Sequence, residues 1–289
     1  MILELKNIYK SYGIPGVFGG ELKKVKAVNG VDLSLVENDS VALVGESGCG
    51  KTTLARIAIG LIPSDKGEIF FRRKSLRLSE GQMYKEFRKS VQMVFQDPYS
   101  SLDPRFTIAD IMHEAFVLTE IKNKERRLEV MKETLCSVGM PEDILGRFPH
   151  EFSGGERQRI AIARSLITKP KILILDEAVS SLDVIIQKQI LDLLLSLQQE
   201  YQLTYLFISH NLKILRRFSK RIAVMCRGRI VESAPSEELF DNPIHPYTKS
   251  LLSASVNYKA MPVENESMAD KGVLVNKGKD HFVLIDNPV

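Results

Sequence analysis

The stretch SVALVGESGCGKTTLARIAIGLI (40–62) constrains the fold more than any other part of the 289-residue chain. SVALVG is a short, continuous apolar run, the pattern of a strand buried on both faces of a parallel sheet. KTTLARIAIGLI reads as a helix. Between them GESGCGKT (45–52) matches the spacing glycine, four residues, glycine, lysine, serine or threonine. Gly45, Glu46, Ser47, Gly48, Cys49 and Gly50 make a loop rich in small residues, so successive N–H groups can face an anion at the positive end of the helix. Lys51 can reach β- and γ-phosphates, the Thr52 hydroxyl can ligate Mg2+, and Thr53 is grouped with them as nucleotide-binding. Cys49 reads as a tolerated small filler. The sharper alternative is a thiol whose oxidation keeps nucleotide out.

Two further runs have the buried-strand pattern, KILILD (171–176) and TYLFIS (204–209), with helical stretches at 153–168 and 184–200. Buried strands alternating with helices predict an α/β fold with a mainly parallel central sheet. Asp176 ends the first run, where a carboxylate can stand near Mg2+, and Glu177 follows as a candidate general base. The plainer alternative is a pair that caps a strand end. His210 follows TYLFIS and Gln96 follows SVQMVF. Each alone could be a structural hydrogen-bonder, but open α/β sheets bind ligands at such strand ends. Residues 2–9 and 31–36 read as strands around a lysine-containing loop, IPGVFGGELKKVK. From about 97 to 150 the pattern is helical without such strands, an insertion. From 257 onward a polar tail follows, in which VLV and HFVLI could pair as small strands.

EFSGGERQR (151–159) poses a question of its own. Ser153 and Glu156 have capping-box spacing, yet Gly154 and Gly155 between them each cost about 1 kcal/mol in a helix. Glycines at a helix start sacrifice stability but allow close backbone approach to an anion. The stretch therefore reads as a second phosphate cradle. One ATP does not obviously need two cradles from one chain, whereas two chains meeting head to tail can complete each other's sites.

In these motifs, over roughly residues 1–255, the chain resembles the ATP-binding cassette family of transport ATPases. GESGCGKT is similar to its Walker A motif, KILILDE to Walker B, FSGGERQ to the signature motif, Gln96 in VFQDP to the Q-loop, SSLD (180–183) to the D-loop, and His210 to the switch histidine. The resemblance implies a P-loop NTPase core with an N-terminal antiparallel β subdomain and a helical subdomain inserted at about 97–165. Residues 256–289 are then an appended tail. It also implies ATP and Mg2+ as cofactors. Lys51, Gln96, Glu177 and His210 would be catalytic, with Thr52, Gln96 and Asp176 at the metal. Ser153, Gly154 and Gly155 would contact the γ-phosphate of ATP held by the opposite subunit, Glu156 and Asp183 would be nucleotide-binding, and Tyr12 would stack on adenine. Glu156 stands where the family most often has glutamine, though glutamate also occurs there in active importers. QDPYSSLDPR (96–105) and NPIHPYTKSLLSA (242–254) are similar to the peptide/nickel importer branch. The implied function is ATP-driven uptake of peptides, nickel or metal–metallophore complexes. The implied partners are a second, different ATPase, two permease subunits and, indirectly, an extracellular binding protein, with the chain peripheral on the cytoplasmic face of the membrane. The alternative is a soluble cassette ATPase of DNA repair or translation.

Composition excludes other classes. Lys plus Arg exceed Asp plus Glu only by 40 to 36, and the short runs KKVK (23–26) and RRK (72–74) read as solvated faces, so no nucleic-acid partner is expected. Cys49, Cys136 and Cys226 are widely spaced, with no CxxC pair for zinc or redox work, and a reducing interior is expected. MILELKNIYKS turns charged within a few residues, so no leader peptide is expected. No run of 18 apolar residues occurs, and a role at a membrane must come through a partner.

Overall fold

The computed structural model describes residues 1–14, 23–76, 81–95, 102–180, 182–256 and 272–286. The strands are β1 (Leu3–Ile14), β2 (Lys23–Leu35), β3 (Ser40–Val44), β4 (Lys66–Phe71), β5 (Lys74–Ser75) and β6 (Val91–Val94). They continue with β7 (Ile172–Asp176), β8 (Thr204–Ser209), β9 (Arg221–Cys226), β10 (Arg229–Pro235), β11 (Gly272–Asn276) and β12 (Phe282–Asp286). The helices are α1 (Lys51–Ala58), α2 (Gln82–Ser90), α3 (Ile108–Glu114), α4 (Lys124–Ser137) and α5 (Gly154–Leu166). After them come α6 (Val184–Tyr201), α7 (Leu212–Phe218), α8 (Ser236–Asp241) and α9 (Pro246–Val256). Two compact units result, Met1–Leu76 with Phe207–Val289, and Arg77–Leu206, the division falling inside β8.

In the first unit β2, β1, β4 and β5 form an antiparallel sheet in that order. Leu3, Leu5 and Ile8 of β1 are all buried although the last two are three residues apart. A bulge with Asn7 in the left-handed region (φ 52) absorbs the extra residue and keeps Ile8 on the inner face. Gly67 faces this bulge, where a Cβ would lie 2.3 Å from the Asn7 carbonyl oxygen. The β1–β2 ladder runs further than the sequence suggests, Ser11–Ile14 pairing with Lys23–Lys26. KKVK is therefore strand rather than loop. Lys24, Val25 and Lys26 are exposed, so backbone bonds hold this part of the ladder and no hydrophobic alternation marks it. Residues 15–22 of the expected loop lie outside the described residues.

The unit's second sheet is mixed. β3 and β9 pair parallel, Val41 opposite Arg221, and every residue of β3 is buried, as its continuous apolar run requires. β10 adds antiparallel to β9, β12 to β10 and β11 to β12. The two apolar runs of the tail thus pair as strands and extend this sheet. Their fastening is polar. Glu232 on β10 is fully buried, and its carboxylate accepts from Ile244 N (2.7 Å) and His245 N (3.0 Å) and pairs with His281 Nε2 (2.6 Å), itself 3% exposed. A buried carboxylate persists only where its lone pairs are so satisfied.

In the second unit β6 and β7 pair parallel, Val91 opposite Ile172, and Thr204 N at the start of β8 donates to Lys171 O (2.9 Å). The remainder is helical. α3 opens with a complete Thr107–Asp110 capping box and α4 with Asn123 accepting from Arg126 N. Among the described residues no helix is long and apolar enough to cross a membrane.

Glu232→Leu should lower the stability of the first unit by about 3 kcal/mol, because it strands several buried donors at once. Glu232→Gln, which keeps an acceptor, should cost less. Urea midpoints compared at constant m-value check both.

Candidate nucleotide site

In the first unit the loop between β3 and α1 is built by three glycines with two different physical tasks. A Cβ on Gly45 would lie 2.1 Å from the Met225 carbonyl oxygen of β9, and one on Gly50 2.0 Å from the Ala27 carbonyl oxygen of β2. Gly48 faces open space and is needed for its backbone alone, at φ 81. The loop thus lies directly against two strands. Among the described residues no side chain caps α1, and the positive end of its dipole favours an anion there.

Lys51 is 4% exposed and folds back over the loop, its Nζ donating to Gly45 O and Glu46 O, both at 2.8 Å. Cys49 sits beside it, with Nζ 3.8 Å from Sγ. Burial pushes the thiol above its ordinary range despite the nearby ammonium, which leaves it the chemistry of a packed filler rather than of a reactive thiolate. The loop is anchored by Gly228 N donating to Cys49 O (2.9 Å) and by Glu46 N donating to the Tyr247 hydroxyl (3.1 Å). The sequence gives no hint of the last contact, since 201 residues separate the partners. Tyr12 on β1 is 44% exposed, as a stacking platform must be, with Lys10 Nζ 5.9 Å from its ring centre. His210 is exposed directly after β8.

The second unit gathers the other candidates. Asp176 ends β7 at 3% exposure. Glu177 follows in the left-handed region at φ 47, a conformation that costs a non-glycine residue about 1–3 kcal/mol. A turn pins it there, Ser180 N (3.0 Å) and Ser180 Oγ (2.8 Å) both donating to Glu177 O. Asp183 is the N-cap of α6, its carboxylate accepting from Ile185 N and Ile186 N. Ser153 and Glu156 form the expected capping box on α5. Ser153 N (2.8 Å) and Oγ (2.7 Å) donate to Glu156 Oε2, and these two bonds hold the carboxyl of Glu156 below its ordinary range. The two glycines between them differ. A Cβ on Gly155 would lie 2.5 Å from Ile186 Cγ2 of α6, whereas one on Gly154 would meet only Leu182 Cδ2 at 3.4 Å. Close helix packing therefore demands Gly155 independently of any anion. Gln96 lies outside the described residues, as do Asp97–Ser101 of the QDPYSSLDPR stretch and Ser181.

The two units thus hold separate sets: Tyr12, the 45–53 segment and His210 in one, and Ser153–Glu156, Asp176, Glu177 and Asp183 in the other. Comparison with known proteins identifies what uses such sets. The family model described as ABC transporter matches residues 28–180. The oligopeptide transport ATP-binding protein AppF of Bacillus subtilis (strain 168) is 46% identical over 276 residues, 94% of this chain and 84% of AppF. OppF of the same organism is 44% identical, over 88% of this chain and 82% of OppF. Among solved structures, the dimeric ATP-binding cassette MJ0796 in a post-hydrolysis state bound to ADP and Pi is similar at a TM-score of 0.71 and 26% identity, covering 81% of this chain and 98% of that one. The chain belongs to the ABC transporter family, with the α/β fold of a P-loop NTPase. It is an ATP-hydrolysing transport subunit.

Gly155→Ala should destabilise the second unit by about 1–3 kcal/mol through overpacking, and Gly154→Ala by less. Combining Gly155→Ala with Ile186→Ala should recover much of the loss, a non-additivity that a double-mutant cycle of denaturation midpoints reads directly.

Proposed function

We propose that the chain powers the uptake of peptides through separate permease subunits, as a peripheral ATPase on the cytoplasmic face of the membrane. The observation carrying this reading is the similarity to an oligopeptide transport ATP-binding protein along 94% of the chain. AppF and OppF are both named for oligopeptides, which favours peptides over the nickel and metallophore cargoes open to the branch. Exposed apolar side chains on the second unit, among them Phe106, Val117 and Leu128, support a permease docking there.

The residues take these roles. Lys51 leaves the carbonyls of Gly45 and Glu46 for the β- and γ-phosphates, while the N–H groups at the start of α1 face the phosphate chain. Thr52 and Asp176 are oxygen donors of the kind a hard cation takes, with Gln96 assigned to the same ion, and they fit Mg2+. Mg2+, when bound with the nucleotide, offsets phosphate charge. Glu177 accepts a proton from the attacking water, His210 contacts the γ-phosphate, and Tyr12 stacks on adenine. Ser153, with Gly154 and Gly155, serves the γ-phosphate of ATP held by a second cassette, a different chain. For that, the Ser153 hydroxyl exchanges Glu156 for a phosphate oxygen. Val184 and Ile185, 80% and 72% exposed just after Asp183, support a second chain packing at that point. Two signature helices gripping two nucleotides favour the closed pair, and hydrolysis releases it.

Glu177→Gln should cut ATP turnover about 10²–10⁴-fold while ATP binding persists. Ser153→Arg should abolish peptide uptake by vesicles holding the permeases and both cassettes, yet leave ATP binding by the single chain intact. Uptake at the unmodified rate in the Ser153→Arg vesicles would refute the shared grip.

A further inference from the structure

We propose that Tyr247 is a positioning residue for nucleotide binding: its hydroxyl holds the Gly45–Glu46 peptide plane in place once Lys51 has left it for a phosphate. The proposal rests on the 45–52 loop being the phosphate cradle. The Gly45 carbonyl and the Glu46 N–H belong to one planar group. Both ends of that plane are held, the carbonyl by Lys51 Nζ at 2.8 Å and the N–H by the Tyr247 hydroxyl at 3.1 Å. Taking up a phosphate removes the first restraint. The residue on one side of the plane is glycine because the Met225 carbonyl leaves no room for a Cβ. The plane is thus hinged on the most permissive backbone available, at the point where the loop leaves β3. With Lys51 gone, the Tyr247 bond is what resists its rotation.

Tyr247 is built for such a task. Its side chain is 8% exposed. Burial keeps the hydroxyl protonated, well above the usual phenol range, so it stays a neutral acceptor for the N–H. The groups facing it are Glu46, Cys49 and Cys226. Its backbone is fixed in turn, Tyr247 N donating to His245 Nδ1 (3.2 Å) and His245 N to the buried Glu232 carboxylate (3.0 Å). The same carboxylate holds His281 of the tail hairpin. The start of the HPYTKSLL segment is therefore clamped twice, at His245 to the sheet and at Tyr247 to the nucleotide loop. The next residue, Thr248, is fully buried and its hydroxyl has no hydrogen-bond partner among the described residues, which makes it the natural control.

Tyr247→Phe deletes the hydroxyl and keeps the ring. In the full-length protein, Kd for a fluorescent ATP analogue and KM for ATP should both rise about 3–10-fold, the effect of losing one modest hydrogen bond. The rate kcat should stay within about twofold and Thr248→Val should match the unmodified protein in KM. An unchanged KM and Kd, with or without a fall in kcat or Tm, overturns the proposal and leaves Tyr247 a packing residue. Lys51→Ala run alongside separates the levels: undiminished affinity there sinks the cradle itself, whereas lost affinity there with an unaltered Tyr247→Phe sinks only this inference. Should Tyr247→Phe not fold, amide exchange in the unmodified protein decides. With a non-hydrolysable ATP analogue bound, the Glu46 amide should remain protected, and free exchange at that amide would overturn the assignment.

Discussion

A loop that must pack directly against carbonyl oxygens of two neighbouring strands has almost no choice of side chain. At Gly45 and Gly50 a single carbon would collide with a neighbouring carbonyl oxygen at about 2 Å. That steric demand, rather than flexibility, is what places the cradle. The Met225 carbonyl of β9 and the Ala27 carbonyl of β2 face the loop's two end glycines, and Lys51 folds back onto the carbonyls of Gly45 and Glu46. A buried ammonium held by two carbonyls is poised rather than idle, because an anion offers it a stronger partner than either. The rest of the first unit holds this piece still: the parallel β3–β9 pair beneath it, and the Glu232 cluster beside it.

The second unit is governed by a different compromise. Ser153, Asp183 and Glu177 each carry a chemical assignment, and each is also engaged in local structure, as a helix cap, a helix cap and a left-handed turn residue. Caps normally settle the question of a helix start. Here the Ser153 cap is made with a carboxylate on a largely exposed side chain, a bond that an arriving phosphate can replace at little net cost. The strain at Glu177 points the same way, since left-handed residues other than glycine persist only where the surroundings insist on them.

Much of this was legible in the sequence, and the parts that were not share a cause. β3, β7, β8, α5 and α6 were readable to within a few residues because each is fixed by a local signal: a buried apolar run, a phosphate motif, a capping box. Even the pairing of the two apolar runs in the tail could be foreseen. The extent of β2 could not, because Lys24–Lys26 pair through backbone while their side chains stay in water. Nor could the use of Glu232, whose partners lie 12, 13 and 49 residues away, or of Tyr247. A long-range polar contact between two unremarkable residues leaves no periodicity to detect. Gly155 illustrates the opposite hazard. The sequence supplies one sufficient reason for it, the anion, while the packing supplies a second.

That second reason has a mechanical corollary. Where α5 begins, no side chain separates its backbone from the Ile186 methyl of α6, so the two helix starts touch without any compressible padding. A shift of one by even a few tenths of an ångström must be passed to the other or be absorbed as overlap. Asp183 caps the start of α6. A displacement of the α5 start at Ser153 therefore has a short, stiff route to the start of α6.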